Sequence, residues 1–152
     1  MWLHGCNYPW SADGRTVFYG LDFGGNIWGS HLGVSTRRAA VARDFDALAA
    51  LGFTTVRWFV FADGRSGIVY RGSGIPVGLD AHVLDDMDAA LEIARDAGIG
   101  LVLVALDHRW MFRLPYGRGG VLLTEAGRDA LFARVLLPLL RRYGPSGARA
   151  DL

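Results

Sequence analysis

The sequence predicts an α/β domain built on parallel strands, and three observations carry this. Strand-like and helix-like segments alternate three times along the 152 residues. The strands read as continuous apolar or aromatic runs, the pattern of strands covered on both faces. The loops after strands are long and hold Trp, Arg, His and Asp, whereas the loops after helices shrink to little more than Gly52 and Gly98. In α/β folds the strand-to-helix loops gather at the ligand-facing edge.

The first strand is expected within Leu3 to Tyr8, stopped by Pro9, and a long Gly- and aromatic-rich stretch from Trp10 to Val34 follows. Ser35 or Thr36 is placed to cap the first helix, since a hydroxyl can accept a bond from a free backbone N–H. Val41, Phe45 and Leu48 recur at helical spacing, with Leu51 beside them, and Gly52 suits the left-handed position after the last turn. Phe53 to Phe61 is dominated by β-branched and aromatic residues and reads as a strand buried on both faces.

Ala62 to Gly78 is a second loop, with an extended piece at Gly67 to Tyr70 and a hairpin turn around Arg71-Gly72-Ser73-Gly74. Asp80 caps the second helix, whose apolar stripe is read as Leu84, Met87, Leu91 and Ala94, closed by Gly98. Ile99 to Leu106 is an unbroken aliphatic run, the mark of a central parallel strand. A third loop runs from Arg109 to Leu123. The third helix spans Thr124 to Tyr143, with Thr124 as cap, Leu131, Val135 and Leu139 inside, and Pro138 as a kink.

Composition narrows the function classes. Sixteen basic residues, all arginine, against fifteen acidic ones leave a net charge of +1, too little for nucleic-acid binding by bulk charge. A single cysteine, Cys6, excludes an internal disulfide framework or a Cys-rich metal site, and the histidines lack metal-ligand spacing. No cofactor motif occurs: there is no Walker sequence and no lysine to serve one. Apolar runs fall far short of the about 18–20 residues that span a bilayer, and the N-terminus lacks the pattern of a signal peptide. The expectation is no membrane, no nucleic acid, no metal and a cytoplasmic location by default, with secretion of the intact protein left open.

Two architectures fit: an open doubly wound sheet, or part of an eight-unit (β/α) barrel, which runs to about 250 residues. Three units cannot close a barrel, and the tail after Gly144 reads as the turn into a further strand. Residues 1–152 are therefore expected to form the first portion of one incomplete barrel domain.

Chemistry is sought at the strand ends. Glu92 and Glu125, the two glutamates, lie on helices, the first on an outer face and the second in a first turn where it complements the dipole. Asp63 before Gly64 makes a turn. Asp107 is open to two roles, a carboxylate binding loop N–H groups or a functional acid. Arg57 inside an apolar strand needs a carboxylate, either in a structural ion pair or in a pocket where it holds a catalytic one. His108 follows the third strand and can donate a hydrogen bond at a pocket floor. Trp10, Trp28, Trp58 and Trp110 lie in or near strand ends, where each either packs in the core or offers a face to a sugar ring.

The segments Gly5-Cys6-Asn7-Tyr8, Asp44 to Trp58 and Ala94 to His108 resemble glycoside hydrolase family 5, retaining glycosidases of the cellulase and mannanase type with eight-stranded barrels. The resemblance covers most of this chain and about three-eighths of such a barrel. It implies an oligo- or polysaccharide substrate contacted by Asn7, Trp28, Arg57, Trp58, Asp107, His108 and Trp110. It implies that Arg57 orients a nucleophilic glutamate and that His108 lines the glycone subsite. Both catalytic glutamates would lie on later strands, so no catalytic residue and no turnover are expected of these residues alone. The alternatives are a small non-catalytic carbohydrate-binding or protein-interaction module and, more weakly, an open-sheet hydrolase using Asp107 and His108.

Overall fold

The computed structural model describes residues 4–9, 22–25, 31–72, 74–111 and 118–144. Three strands, β1 (Gly5–Asn7), β2 (Thr55–Phe61) and β5 (Gly100–Leu106), form a parallel sheet in the order β1-β2-β5. The register sets Asn7 beside Arg57 and runs from Thr55 beside Gly100 to Phe61 beside Leu106. Helix α1 (Arg38–Ala50) lies between β1 and β2, and α2 (Val83–Asp96) between β2 and β5. The hairpin of β3 (Ile68–Tyr70) and β4 (Pro76–Leu79) interrupts the second crossover, as its turn residues predict.

The core lies on the helix side of the sheet. Val56, Trp58 and Val60 of β2 are buried there with Val41 and Phe45 of α1 and Val83, Met87, Ala90 and Ala94 of α2. The alternate residues of β2 face the other way: Arg57 is exposed and Thr55 and Phe59 only half-buried. This corrects the expectation of strands buried on both faces. The aliphatic run of β5 is likewise an edge strand, with Val102 47% exposed, and β2 is the central one. Apolar runs record the two layers a parallel strand is adapted to meet; the described residues supply one.

Helix ends follow the sequence in part. Gly52 (φ +84°) and Gly98 (φ +69°) take the left-handed conformation after α1 and α2. Asp80 accepts bonds from the His82 and Val83 N–H groups at the start of α2, as expected of a cap. α1 differs: Arg37 precedes it without a side-chain cap, Thr36 donates to Gly33 O, and Ser35 turns to Asp86. Leu51 is 71% exposed, outside the apolar face. The buried stripe of α2 is Val83, Asp86, Met87, Ala89, Ala90, Ile93 and Ala94, rotated from the expected one, with Leu84 and Leu91 at its margins.

The third helical segment is three pieces. The short α3 (Gly119–Leu123), in a stretch expected to be loop, precedes Thr124, whose hydroxyl accepts the Gly127 N–H and caps α4 (Glu125–Leu131). A π-helical turn over Phe132–Leu136 leads to α5 (Leu137–Tyr143). Pro138 lacks an N–H and its ring crowds the carbonyl four residues back, so the widened turn accommodates what a regular helix could not. Leu131, Val135 and Leu139 are buried as predicted.

Tyr143 ties α5 to α2. Its hydroxyl donates to Asp88 Oδ1 (2.8 Å), and Arg142 donates to Asp88 Oδ2 (2.6 Å). Burial, then the Asp88 hydrogen bond, push the phenol up to about 12. Because the folded pKa exceeds the ordinary value of about 10, the neutral phenol stabilises the fold fully below pH 10, and that contribution fades as pH rises towards 12. Urea midpoints measured across pH 9–12 should fall for the wild type and fall less steeply for Tyr143→Phe.

Candidate functional site

The strand C-termini place Asn7, Asp63, Asp107 and His108 along one edge of the sheet. Asn7 and Arg57 are register partners, and Arg57 Nη1 donates to Asn7 Oδ1 at 3.4 Å. The guanidinium lies 4.5 Å from the centre of the Phe59 ring, a cation–π contact between alternate residues on one face of β2. Gly5, Cys6, Asn7, Thr55 and Arg57 line an open depression of about 270 Å³ on the side of the sheet away from the helices. Among the described residues no carboxylate forms an ion pair with Arg57. The guanidinium is therefore not the buried cation the apolar run suggested; among the described residues it is held by an amide and a ring, with no further hydrogen bond.

At the end of β5, Asp107 Oδ1 accepts the His108 backbone N–H (2.6 Å) and contacts His108 Nδ1 (2.5 Å). This arrangement starts a 3-10 turn, His108–Met111, and turns the imidazole outward, with its side chain 69% exposed. At the end of β2, Asp63 accepts Arg65 N–H and pairs with its guanidinium, while Gly64 takes a positive φ, the turn its sequence predicts. A Cβ on Gly64 would lie 2.7 Å from the Trp110 ring. The glycine is thus required for Trp110 to enter the core, where its indole N–H donates to Phe61 O (2.6 Å).

Trp58 and Trp110 are both completely buried. Neither offers a face to a ligand in this structure, which corrects their reading as sugar platforms: they form the floor under the strand-end edge. Trp58 packs edge-on to Tyr8 and Phe23 and donates its indole N–H to Asp22 Oδ2 (2.8 Å). Trp28 and Trp10 lie outside the described residues.

Sequence reasoning missed Asp22 and Asp86, and a second role of Asp80, in holding residues 22–25 and 31–37. Asp22, fully buried, accepts from Trp58 and pairs with Arg37 (2.9 Å). Asp86, also fully buried on α2, accepts the Gly24 N–H, the Ser35 N–H and the Ser35 hydroxyl, and contacts His31 Nε2 at 2.8 Å. Asp80 Oδ2 accepts the Gly25 N–H at 2.6 Å. His31 stacks on His82 with ring centres 4.0 Å apart. Asp86 lies among Val83, Met87 and Ala90 at helical spacing, the one signal in the sequence, and in the structure Gly33 leaves room where any Cβ would strike its carboxylate.

Neither glutamate lies at the strand ends. Glu92 pairs with Arg38 between α2 and α1, and Glu125 sits in the first turn of α4. Among the described residues no group of His, Cys, Asp or Glu is arranged to hold a metal ion, and no helix is long and apolar enough to cross a membrane.

No protein-family model and no curated protein matches the sequence. The fold matches solved structures. A β-1,4-D-mannanase from Cryptopygus antarcticus aligns over 95% of this chain with a TM-score of 0.73 and 20% identity. A β-mannanase from the blue mussel Mytilus edulis aligns over 87% (TM-score 0.71, 19% identity), and a β-1,4-mannanase from the sea hare Aplysia kurodai over 91% (TM-score 0.71, 17% identity). The chain spans 36–37% of the length of these proteins. Its fold is thus the fold of part of a mannanase-type (β/α) barrel, as the resemblance implied.

Removing an acceptor that satisfies several buried donors leaves them unpaired, a large cost. Asp86→Ala should lower unfolding stability by about 3–5 kcal/mol. Asp129→Ala, at an exposed position, should stay within about 0.5 kcal/mol. Urea denaturation of the two variants compares them.

Proposed function

We propose that residues 1–152 are the first three strand–helix units of a single glycosidase barrel domain that hydrolyses β-linked polysaccharide of the mannan type with retention. The observation that carries this reading is Arg57. In a fold like part of a mannanase barrel, it presents open donors on the sheet face opposite the helices, beside Asn7, with no carboxylate among the described residues. A guanidinium fork matches a carboxylate, and a retaining glycosidase needs a carboxylate held in a fixed orientation to attack the anomeric carbon.

On this reading Arg57 is a positioning residue for a nucleophilic glutamate on a later strand, and the exposed His108 imidazole borders the glycone. Asn7 holds Arg57 from the side, and Asp107 sets the turn that aims His108. The acid/base and the nucleophile, which work about 5–5.5 Å apart in retaining enzymes, both come from outside these residues. On this reading the chain alone supplies neither the acid/base nor the nucleophile.

The purified 152-residue chain should release no reducing ends from galactomannan or from aryl β-mannosides above the blank. Joined to a complete barrel, Arg57→Ala should lower kcat by about 10²-fold, the scale of a misaligned reacting group, with a smaller effect on KM. Hydrolysis by the chain alone, abolished by one substitution within it, overturns the reading. Retention of the chain on galactomannan gels without turnover supports the alternative of a non-catalytic binding module.

A further inference from the structure

A second guanidinium stands at the strand-end edge, and the site described above does not use it. Arg118 lies just before α3, and its side chain reaches back to the loop after β2. A Cβ on Gly64 would come within 2.9 Å of Arg118 Cγ and 2.7 Å of the Trp110 ring, so the arginine stem and the indole share the space this glycine leaves. Arg118 Nε–H donates to Gly64 O at 3.4 Å, and Tyr70, at the end of β3, donates its hydroxyl to the same oxygen at 2.8 Å. The guanidinium lies over the Tyr70 ring, 4.0 Å from its centre. The loop after β2, the β3–β4 hairpin and the segment after β5 thus meet at one half-buried cation.

The charge there is not balanced. Among the described residues no carboxylate pairs with Arg118. Asp63, the acid of the adjoining loop, is paired with Arg65. Burial above all holds the Tyr70 phenol well above its ordinary range, so the ring stays neutral. Residues 112–117, Phe-Arg-Leu-Pro-Tyr-Gly, contain no acid. Partial burial strips water from a cation and strengthens its pull on an anion. The aromatic face fixes the plane of the guanidinium, whose fork matches the two oxygens of a carboxylate. A neutral sugar would leave the charge unmatched, and a phosphate dianion would leave half of its own charge unmatched on one fork. Strand-to-helix loops are where α/β folds take their ligands.

We propose that Arg118, stacked on Tyr70, binds the carboxylate of an acidic sugar, a uronate residue carried by the polysaccharide. That the anion belongs to a glycan rests on the glycosidase reading above; the anion site rests on Arg118, Gly64 and Tyr70.

The test titrates the full 152-residue chain with sodium glucuronate at constant ionic strength and follows the arginine Nε–H signals by NMR. Glucose, sodium acetate and sodium sulfate are the comparison probes. The expected result is a saturable shift of the Arg118 signal with glucuronate, no shift with glucose, and binding of acetate and sulfate weaker by about tenfold. Arg118→Gln should weaken glucuronate binding by about tenfold, and Arg118→Lys, which keeps the charge without the fork, by less; thermal melts verify that both variants fold. The wild-type signal reports the site even where a variant does not fold. No saturable shift at Arg118, a shift confined to Arg57, an equal response to glucose, acetate or sulfate, or full affinity in a folded Arg118→Gln overturns the proposal. Glucuronate bound at Arg118, in a chain that cuts no mannan when joined to a complete barrel, upholds the anion site and removes the glycosidase reading. Mannan cut by that barrel, with no glucuronate bound at Arg118, does the reverse.

Discussion

Everything in this fold depends on the helix-side face of β2. Val56, Trp58 and Val60 are the surface against which both crossover helices close, and each is at most 2% exposed. A parallel strand cannot turn back on itself; it needs a crossover, and the crossover helix must bury its apolar stripe on the sheet. With α1 and α2 both on one side, the opposite side of the sheet is free for polar residues. Arg57, exposed in the middle of an aromatic strand, follows directly from that one-sided arrangement.

Buried carboxylates complete what apolar packing leaves open. Residues 22–25 and 31–35 meet the core, where their backbone N–H groups would be stranded without acceptors. Asp86 and Asp80 reach them from α2 and the turn before α2, and Asp22 among them holds Trp58 and Arg37. A carboxylate accepts several bonds and donates none, which suits it to gather converging N–H groups. The desolvation cost of each charge is offset by those charge-assisted bonds. Polar clamps thus join residues 22–25 and 31–37 to the buried aromatic core around Trp58.

The order of strands and helices, the glycine stops at Gly52 and Gly98, the Asp80 and Thr124 caps and the β3–β4 hairpin were all legible in the sequence. They depend on local chemistry, in which a few neighbouring residues decide the conformation. The face assignments were not. A run such as Leu101 to Leu106 records the layers a strand is adapted to meet, not the layers present, so it read as central when β5 is an edge. Trp58 and Trp110 stand at strand ends in the sequence, but whether an indole points out or in depends on distant partners: Asp22 for one, Gly64 and Phe61 O for the other. Asp86 was hidden by a stripe read one position out of phase.

Enclosure would change the physics of Arg57. In the open sheet its guanidinium stays hydrated and one weak bond to Asn7 suffices. Covered by further strands, the same cation would lose its water, and an amide and an aromatic ring could not replace the lost hydration of a full charge. Any polypeptide that closes over this face must therefore bring an anion to Arg57 or leave a channel of water to it. A catalytic cleft meets both conditions, since it stays open to solvent and carries carboxylates. The chemistry of one strand residue thus limits what can cover this face of the sheet to a surface that is acidic or hydrated where it meets Arg57.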